Sequence, residues 1–412
     1  MQRRNLLKVL SAAAFSAPML PLRSRSAAAA SAPRAKITDI RIAKVKLVER
    51  LGMYTNTFHS PTGPSPVDVG NFSITEVYTD QGAIGIGPGS SPDVLSRAKA
   101  YLVGKDPFDV ADHSRYLNAL GRGGVQIETT LWDLCGKLAN QPLYKLWGGG
   151  KSRVMPYGAT FGLGDGPAER ARTAAMSKAA GFKAIKMRSS FPTMREDVQM
   201  MTLVREAIGN DITLIVDANK AAPYGGTQLV TLWDYQRAYE TAMEFEKLNV
   251  YWLEEPLGRF DYDDLAELQR ACSTMRLAGG ETNTQMEEFR TYVQRGCYDI
   301  LNCDVVVLGP TLYRQIMDIA FAYNKRVVPH ASGLMTTMCH MHLAAIHPQP
   351  IQGRLDKEGP HFELDHSPPI MDFKKQWTVF TNAPQLESDG FMTVPTDPGL
   401  GVTIRPELID RS

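Results

Sequence analysis

LIVDAN (214–219), YWLEEP (251–256) and LAGGET (277–282) decide how this chain is read. Each is a short apolar run that ends on an acid: Asp217, Glu254 and Glu281. Such runs suit strands buried on both faces. The acids lie 37 and then 27 residues apart, room for one helix and its loops between successive strands. In a ring of parallel strands, that pattern predicts three carboxylates at one end, directed into one space. Carboxylates so close repel one another unless a cation sits between them. All-oxygen ligation suits a hard divalent ion, Mg²⁺ first and Mn²⁺ second. Each acid alone has a plainer reading: Asp217 as a helix cap, Glu254 with Glu255 as a solvated turn before Pro256, Glu281 as a loop residue. Three strand-terminal acids in consecutive units are hard to dismiss in that way.

The same rhythm extends in both directions. VMPYGAT (154–160), FKAIKMR (182–188), YDILNCDV (298–305) and RVVPHAS (326–332) are further strand candidates separated by helical stretches. PIQGRLD (350–356) is the candidate for an eighth. Eight βα units close a barrel whose active site lies at the C-terminal ends of the strands. The part before residue 150 reads differently. ITDIRIAKVKLVE (37–49) alternates like a half-buried strand, and a Gly/Pro/Ser-rich stretch follows from Gly52 to Gly70. FSITEVYTDQGAIGIG (72–87) reads as a hairpin, followed by helices near 92–103, 108–119 and 124–147. The expectation is an α/β protein, a TIM-type (β/α) barrel over 151–370 behind an α+β unit over 36–150.

Two other units end on reactive groups. Asp304 closes YDILNCD and His330 closes RVVPH. Neighbouring barrel strands would let them pair, and a carboxylate partner orients an imidazole for general-base work. His340, His342 and His347 are read as structural or surface residues. In FKAIKMR, alternation places Lys186 and Arg188 on one face, with Ile185 and Met187 on the apolar helix-facing side. An inward face would set two cations beside the metal, ready to hold a substrate carboxylate or balance developing charge.

The first thirty residues stand apart. They carry Arg3, Arg4, Lys8, Arg23 and Arg25 and no acid, with an apolar centre and an alanine-rich end. This predicts a signal peptide over 1–30, and the Arg3-Arg4 pair suggests the twin-arginine type and a periplasmic destination. The run from Val9 to Leu22 is too short for a bilayer span and contains Pro18 and Pro21. Without the five leader cations, the 45 basic residues fall to 40 against 44 acidic ones, a net charge of −4. Bulk charge therefore offers no case for nucleic-acid binding, and no membrane association is expected after the signal is removed. Cysteines at 135, 272, 297, 303 and 339 show neither metal-ligand spacing nor a disulfide framework and read as small buried hydrophobes.

Taken in order, these motifs resemble the enolase superfamily, specifically its mandelate racemase / muconate lactonizing enzyme-like branch. The likeness runs from the N-terminal sheet through LWDLCGKLANQPLYKLWGG (131–149) to DGFMTVPTDPGLGV (389–402). The resemblance implies that the α+β unit caps the barrel and that 371–412 returns to it. It implies Asp217, Glu254 and Glu281 as Mg²⁺ ligands, His330 with Asp304 as the base dyad, and Asn219 shaping the surroundings. Lys186 and Arg188 stand in its Lys-x-Lys place, and Glu363 is the candidate acid toward the enediolate. A homo-oligomer acting on a small carboxylate is implied too. Its chemistry is removal of the proton α to a carboxylate. Arg188 departs from the pattern. Arginine stays protonated, so a two-base racemase is disfavoured and one-base dehydration of a sugar acid is expected. The stretch KAAPYGGTQLVTLWDY after Asn219 is the second departure, with Tyr224 near the metal-facing loop. Tyr54 and His59, in MYTNTFHS (53–60), are candidate specificity contacts on a closing loop. The alternatives are a racemase, epimerase or cycloisomerase of the same branch, or an exported binding protein without turnover.

Overall fold

The computed structural model describes residues 35–55, 64–161, 166–221, 232–346 and 359–412. The leader, His59, Tyr224 and His347 lie outside the described residues. Antiparallel strands open the chain: β1 (Ile37–Val45), β2 (Glu49–Thr55), β3 (Pro64–Val69), β4 (Phe72–Thr79) and β5 (Ile84–Pro88). Helices α1 (Pro92–Leu102), α2 (Val110–Asn118), α3 (Arg122–Ala139) and α4 (Leu143–Leu146) follow. The described parts of the Gly/Pro/Ser-rich stretch lie in β2 and β3, which pair antiparallel with Tyr54 opposite Ser65. The long third helix ends early: Asn140 adopts φ 51, a left-handed cap, and Pro142 starts a separate turn.

A short β6 (Arg153–Val154) leads into the barrel. Its first half is β7 (Pro156–Ala159), α5 (Pro167–Ala179), β8 (Ala184–Arg188), α6 (Met194–Ile208), β9 (Thr213–Asp217), α7 (Tyr235–Lys247), β10 (Val250–Glu254) and α8 (Tyr262–Ala271). The second half is β11 (Arg276–Gly279), α9 (Met286–Arg295), β12 (Ile300–Leu301), α10 (Val305–Ala322), β13 (Arg326–Val327), α11 (Leu334–Ile346) and β14 (Phe362–Asp365). The eight strands are parallel and neighbours in chain order, with β14 beside β7. The Glu363 N–H donates to the Pro329 carbonyl at 3.0 Å and joins the last strand to the segment after β13. The eighth place therefore belongs to FELD (362–365), whereas PIQGRLD lies outside the described residues. FELD escapes pattern reading because two of its four residues are acids and Pro360 and His361 precede it.

Alternation along the strands sorts the side chains. Tyr157, Ile215, Trp252, Ala278 and Ile300 fill the barrel interior. Tyr157 meets Trp252 edge-on at 5.3 Å between centroids, making a packed floor. Ile185 and Met187 face outward into the larger core with Met200, Met201 and Val204. That arrangement commits Lys186 and Arg188 to the inside. Among the described residues only α10 is long and apolar enough to cross a bilayer by length and composition, and it lies in the barrel's helical layer with Tyr313, Ile316 and Ala320 buried. All five cysteines are free and buried.

The rest of the chain, α12 (Phe373–Gln376), β15 (Met392–Thr393) and β16 (Ile409–Asp410), runs back over the molecule. β15 pairs with β6, and β16 pairs antiparallel with β1, Lys44 opposite Asp410. Asp133, from the LWDLCGK motif, holds two parts together: it accepts from the Ile86 N–H and the Leu400 N–H, each at 2.7 Å. Gly399 sits over it with φ 77, where a Cβ would fall 2.3 Å from the Asp133 carboxylate. Only glycine fits there.

His342 fastens the same segment. Its Nδ1 accepts from the Tyr144 N–H at 3.3 Å and its Nε2 donates to the Leu400 carbonyl at 3.1 Å, so the neutral ring is fully used. Burial pushes its pKa down to about 4. Below pH 6.5 the unfolded chain takes up a proton that the native ring refuses until about pH 4. Its contribution to stability is thus complete above pH 6.5 and is lost as the pH falls toward 4, by up to roughly 3 kcal/mol. Urea midpoints measured between pH 7 and pH 4.5 are expected to fall with acid, and to fall less in His342→Gln.

Candidate active site

β8, β9 and β10 are paired in register, Arg188 opposite Asp217 and Asp217 opposite Glu254. The C-terminal ends of these strands therefore lie level, and Glu281 follows two residues after β11. Asp217, Glu254 and Glu281 are buried, and each offers a carboxylate oxygen within 4.8 Å of the others. Asn219 braces this corner. Its left-handed φ of 51 turns its N–H onto Asp217 Oδ1 at 2.8 Å, while its side-chain amide donates to Oδ2 at 3.1 Å.

The two cations of β8 lie against the acids. Lys186 Nζ is fully buried, 3.2 Å from Glu254, 3.4 Å from Asp217 and 3.0 Å from Glu363. Arg188 Nη1 donates to Asp217 and, at 3.1 Å, to Asn219 Oδ1. Tyr157 donates its hydroxyl to Glu363 at 2.9 Å. Burial and Arg188 work against the charge on Lys186, but Glu254, Glu363 and Asp217 outweigh them and raise its pKa. Burial and Asp217 push Glu254 up. Burial also works to raise Glu363, but Lys186, His330 and Arg188 prevail and lower it.

His330 sits between two carboxylates: Nδ1 is 3.1 Å from Asp304 and Nε2 is 3.0 Å from Glu281. Burial resists its protonation, but Glu281, Glu363 and the hydrogen bonds with Asp304 and Glu281 win and raise its pKa well above the usual value. Asp304 does more than partner the ring. It caps α10 by accepting from the Val306 N–H at 2.8 Å and takes a hydrogen bond from Ser332 Oγ. His340 Nε2 lies 3.4 Å from its other oxygen. Burial would raise the pKa of Asp304, but His330 and His340 hold it well below the carboxylate range.

These residues fit a divalent cation. Burial, then Glu281, lifts the pKa of Glu255 well above its ordinary value. Asp304 and His330 compensate each other. Asp217, Glu254 and Glu281 bring three carboxylates within reach of one another, a set of oxygen donors that suits a hard divalent ion.

The sequence-selected residues thus largely converge. Asp217, Asn219, Glu254, Glu281, Lys186, Arg188, Glu363, His330 and Asp304 share one end of the barrel. Tyr54 stands apart from the acids, its ring 5.9 Å from Phe161, whose ring faces Arg188 at 5.7 Å. It also lines a cavity of about 450 Å³ with Ser332, Thr336, Asn71 and Gln126, between the cap and the start of α11. None of the three clustered acids borders that cavity, so its link to the chemistry is Ser332, the partner of Asp304. Ser332 and Tyr157 are not singled out in the sequence, His340 is read there as structural or surface and Glu255 as part of a turn, yet all four neighbour the site. Ser332, two residues after His330, and Glu255, next to Glu254, carried a local signal.

Residues 168–408 match the family described as enolase C-terminal domain-like. The chain belongs to the enolase superfamily, in its mandelate racemase-like branch. It is 29% identical over 316 residues to L-talarate/galactarate dehydratase of Salmonella typhimurium, covering 74% of this chain and 71% of that one. It is 28% identical over 362 residues to D-galactarolactone cycloisomerase of Agrobacterium fabrum, covering 82% and 89%. The solved L-talarate dehydratase of Polaromonas sp. JS666, complexed with Mg and L-glucarate, superimposes with a TM-score of 0.70 at 25% identity, covering 91% and 96%. The relatives therefore include sugar-acid dehydratases and cycloisomerases, and racemases as well.

Lys186→Met would leave four acids facing one guanidinium. A buried ion pair that loses one partner costs about 3–5 kcal/mol. Urea unfolding in EDTA is expected to show a loss of that size, partly restored by adding Glu363→Gln.

Proposed function

We propose that this protein is a Mg²⁺-dependent sugar-acid dehydratase that converts a polyhydroxy carboxylate to a 2-keto-3-deoxy acid. The supporting observation is the shared space of base and acid triad: His330 Nε2 lies 3.0 Å from Glu281 while Nδ1 is held by Asp304. Asp217, Glu254 and Glu281 would hold the ion, which would supply Lewis-acid stabilisation of charge on the substrate carboxylate. Arg188 and Lys186 add fixed positive charge on the β8 side. Asp304 keeps the His330 ring oriented, so Nε2, once its proton is lost and it is released from Glu281, is the atom that takes the α-proton. The same imidazolium then returns a proton to the departing β-hydroxyl, and the enol becomes a keto acid. Arginine at 188 is a poor proton acceptor and Lys186 is engaged by three carboxylates, which supports one-base chemistry over racemisation. Export through the Arg3-Arg4 leader and action in the periplasm belong to the same proposal.

Cycloisomerisation is the second reading, favoured by the cycloisomerase relative that covers 82% of this chain. It needs the same base and differs only in what leaves the β-carbon. Incubation with galactarate, glucarate and pentonates in D₂O with Mg²⁺ separates the possibilities. A keto acid is expected, and His330→Asn should reduce its formation by at least about 100-fold. Exchange of the α-hydrogen with no keto acid would overturn dehydration in favour of a racemase or epimerase. Titration calorimetry checks the ion: Glu254→Gln is expected to weaken Mg²⁺ binding by at least about tenfold, since it removes one of three charges at contact range. The Mg²⁺-dependent rise in melting temperature should shrink with it.

A further inference from the structure

One acid at this end of the barrel has no task in the scheme above. Asp365 is the last residue of β14 and pairs with Ala159 of β7. Glu363 lies two residues earlier, so alternation puts both side chains on the same face of the strand. Glu363 is on the inside, bonded to Lys186 and Tyr157. Asp365 therefore stands one layer nearer the mouth on the interior face. Glu363 is almost wholly covered, whereas Asp365 is only partly so. Among the described residues, no side chain or N–H group makes a hydrogen bond to the Asp365 carboxyl.

Its surroundings belong to the site. Burial, then the charge of Glu363, pushes its pKa up to about 7 against the opposing pull of His330, Arg188 and Lys186. The cap is close as well: after burial, the charge of Asp365 is what lifts the Tyr54 hydroxyl above its ordinary value. Tyr54 in turn packs toward Phe161, which follows β7. Asp365 thus lies where the cap residue Tyr54 meets the barrel, above the catalytic layer. A half-buried carboxyl that no described residue hydrogen-bonds is costly unless something completes its hydrogen bonds.

We propose that Asp365 is a specificity-determining residue that binds a hydroxyl of the polyhydroxylated chain of the substrate, beyond the carbons that react. The inference rests on the sugar-acid reading and extends it to the distal end of the substrate. A carboxyl at this position accepts from a hydroxyl when ionised and can donate to one when protonated. It would repel a second substrate carboxylate placed beside it. The site is thereby matched to a hydroxylated segment rather than an anionic one.

The test is a binding comparison that does not depend on turnover. Galactarate, glucarate, gluconate and 2-hydroxyadipate are titrated calorimetrically with Mg²⁺ into the full chain and into Asp365→Ala and Asp365→Asn. 2-Hydroxyadipate keeps the α-hydroxy acid and the six-carbon length but lacks the distal hydroxyls. Asp365→Ala is expected to weaken the best polyhydroxy acid by about tenfold or more, the size of one lost charge-assisted hydrogen bond. 2-Hydroxyadipate should change by less than about threefold. Asp365→Asn, which keeps the shape and can still accept, should recover part of the loss. Equal losses for both ligand types, or none for either, would overturn the proposal, as would failure of the native protein to bind any polyhydroxy acid. Tight and discriminating binding with no keto acid formed would instead sink the dehydratase reading and leave Asp365 in place. Melting temperatures of both variants separate a lost contact from a lost fold.

Discussion

Buried negative charge governs this molecule. Asp217, Glu254, Glu281 and Glu363 meet where eight strands end, and water is largely excluded from all four. Such charges are not tolerated singly in a protein interior; they persist only when opposite charge and hydrogen-bond donors surround them. Lys186, Arg188, Asn219, Tyr157 and His330 provide that surround. Three of the four carboxylates meet closely enough to share one divalent cation. The fixed positive charges of Lys186 and Arg188 that make the acids bearable border the same space that the carboxylates share.

The barrel makes this possible by rigidity. Arg188, Asp217 and Glu254 lie level because consecutive parallel strands are hydrogen-bonded in register. Beneath them Tyr157 and Trp252 form a packed floor that leaves little freedom for the acids to separate. Asp304 shows how tightly structure and chemistry are joined. One carboxylate caps α10, anchors the His330 ring and accepts from Ser332. Orientation of the His330 ring is thus built into the start of a helix, where the backbone is well fixed.

The cap contributes in a different way. α3 reaches the barrel through Glu128, which accepts from the Thr311 N–H at 2.8 Å, and reaches the C-terminal segment through Asp133. β16 then adds itself to the edge of the cap sheet. The chain is in effect tied at both ends around the barrel. Tyr54, on the hairpin that faces the mouth, can be placed against Phe161 because those ties hold the cap in position.

Much of this was legible in the residues alone. The order of apolar runs, the acids that end them and the Ile185/Met187 against Lys186/Arg188 alternation follow from local pattern, because strands buried on both faces leave such a trace. FELD left none, since its inward residues are the very acids the site uses. The β2–β3 pair was hidden by glycine and proline, whose composition imitates a loop. His340 and Ser332 reach Asp304 only because α11 and the turn after β13 fold back beside the start of α10, and no spacing rule encodes that approach. The sequence by itself determined the barrel, the acidic triad and the His330–Asp304 pairing, because each rests on repeating units with one reactive end. Only the tertiary structure decided which charges touch, that Lys186 joins three carboxylates at once, and that Asp365 has no hydrogen-bond partner among the described residues, because contact between distant segments depends on packing in three dimensions.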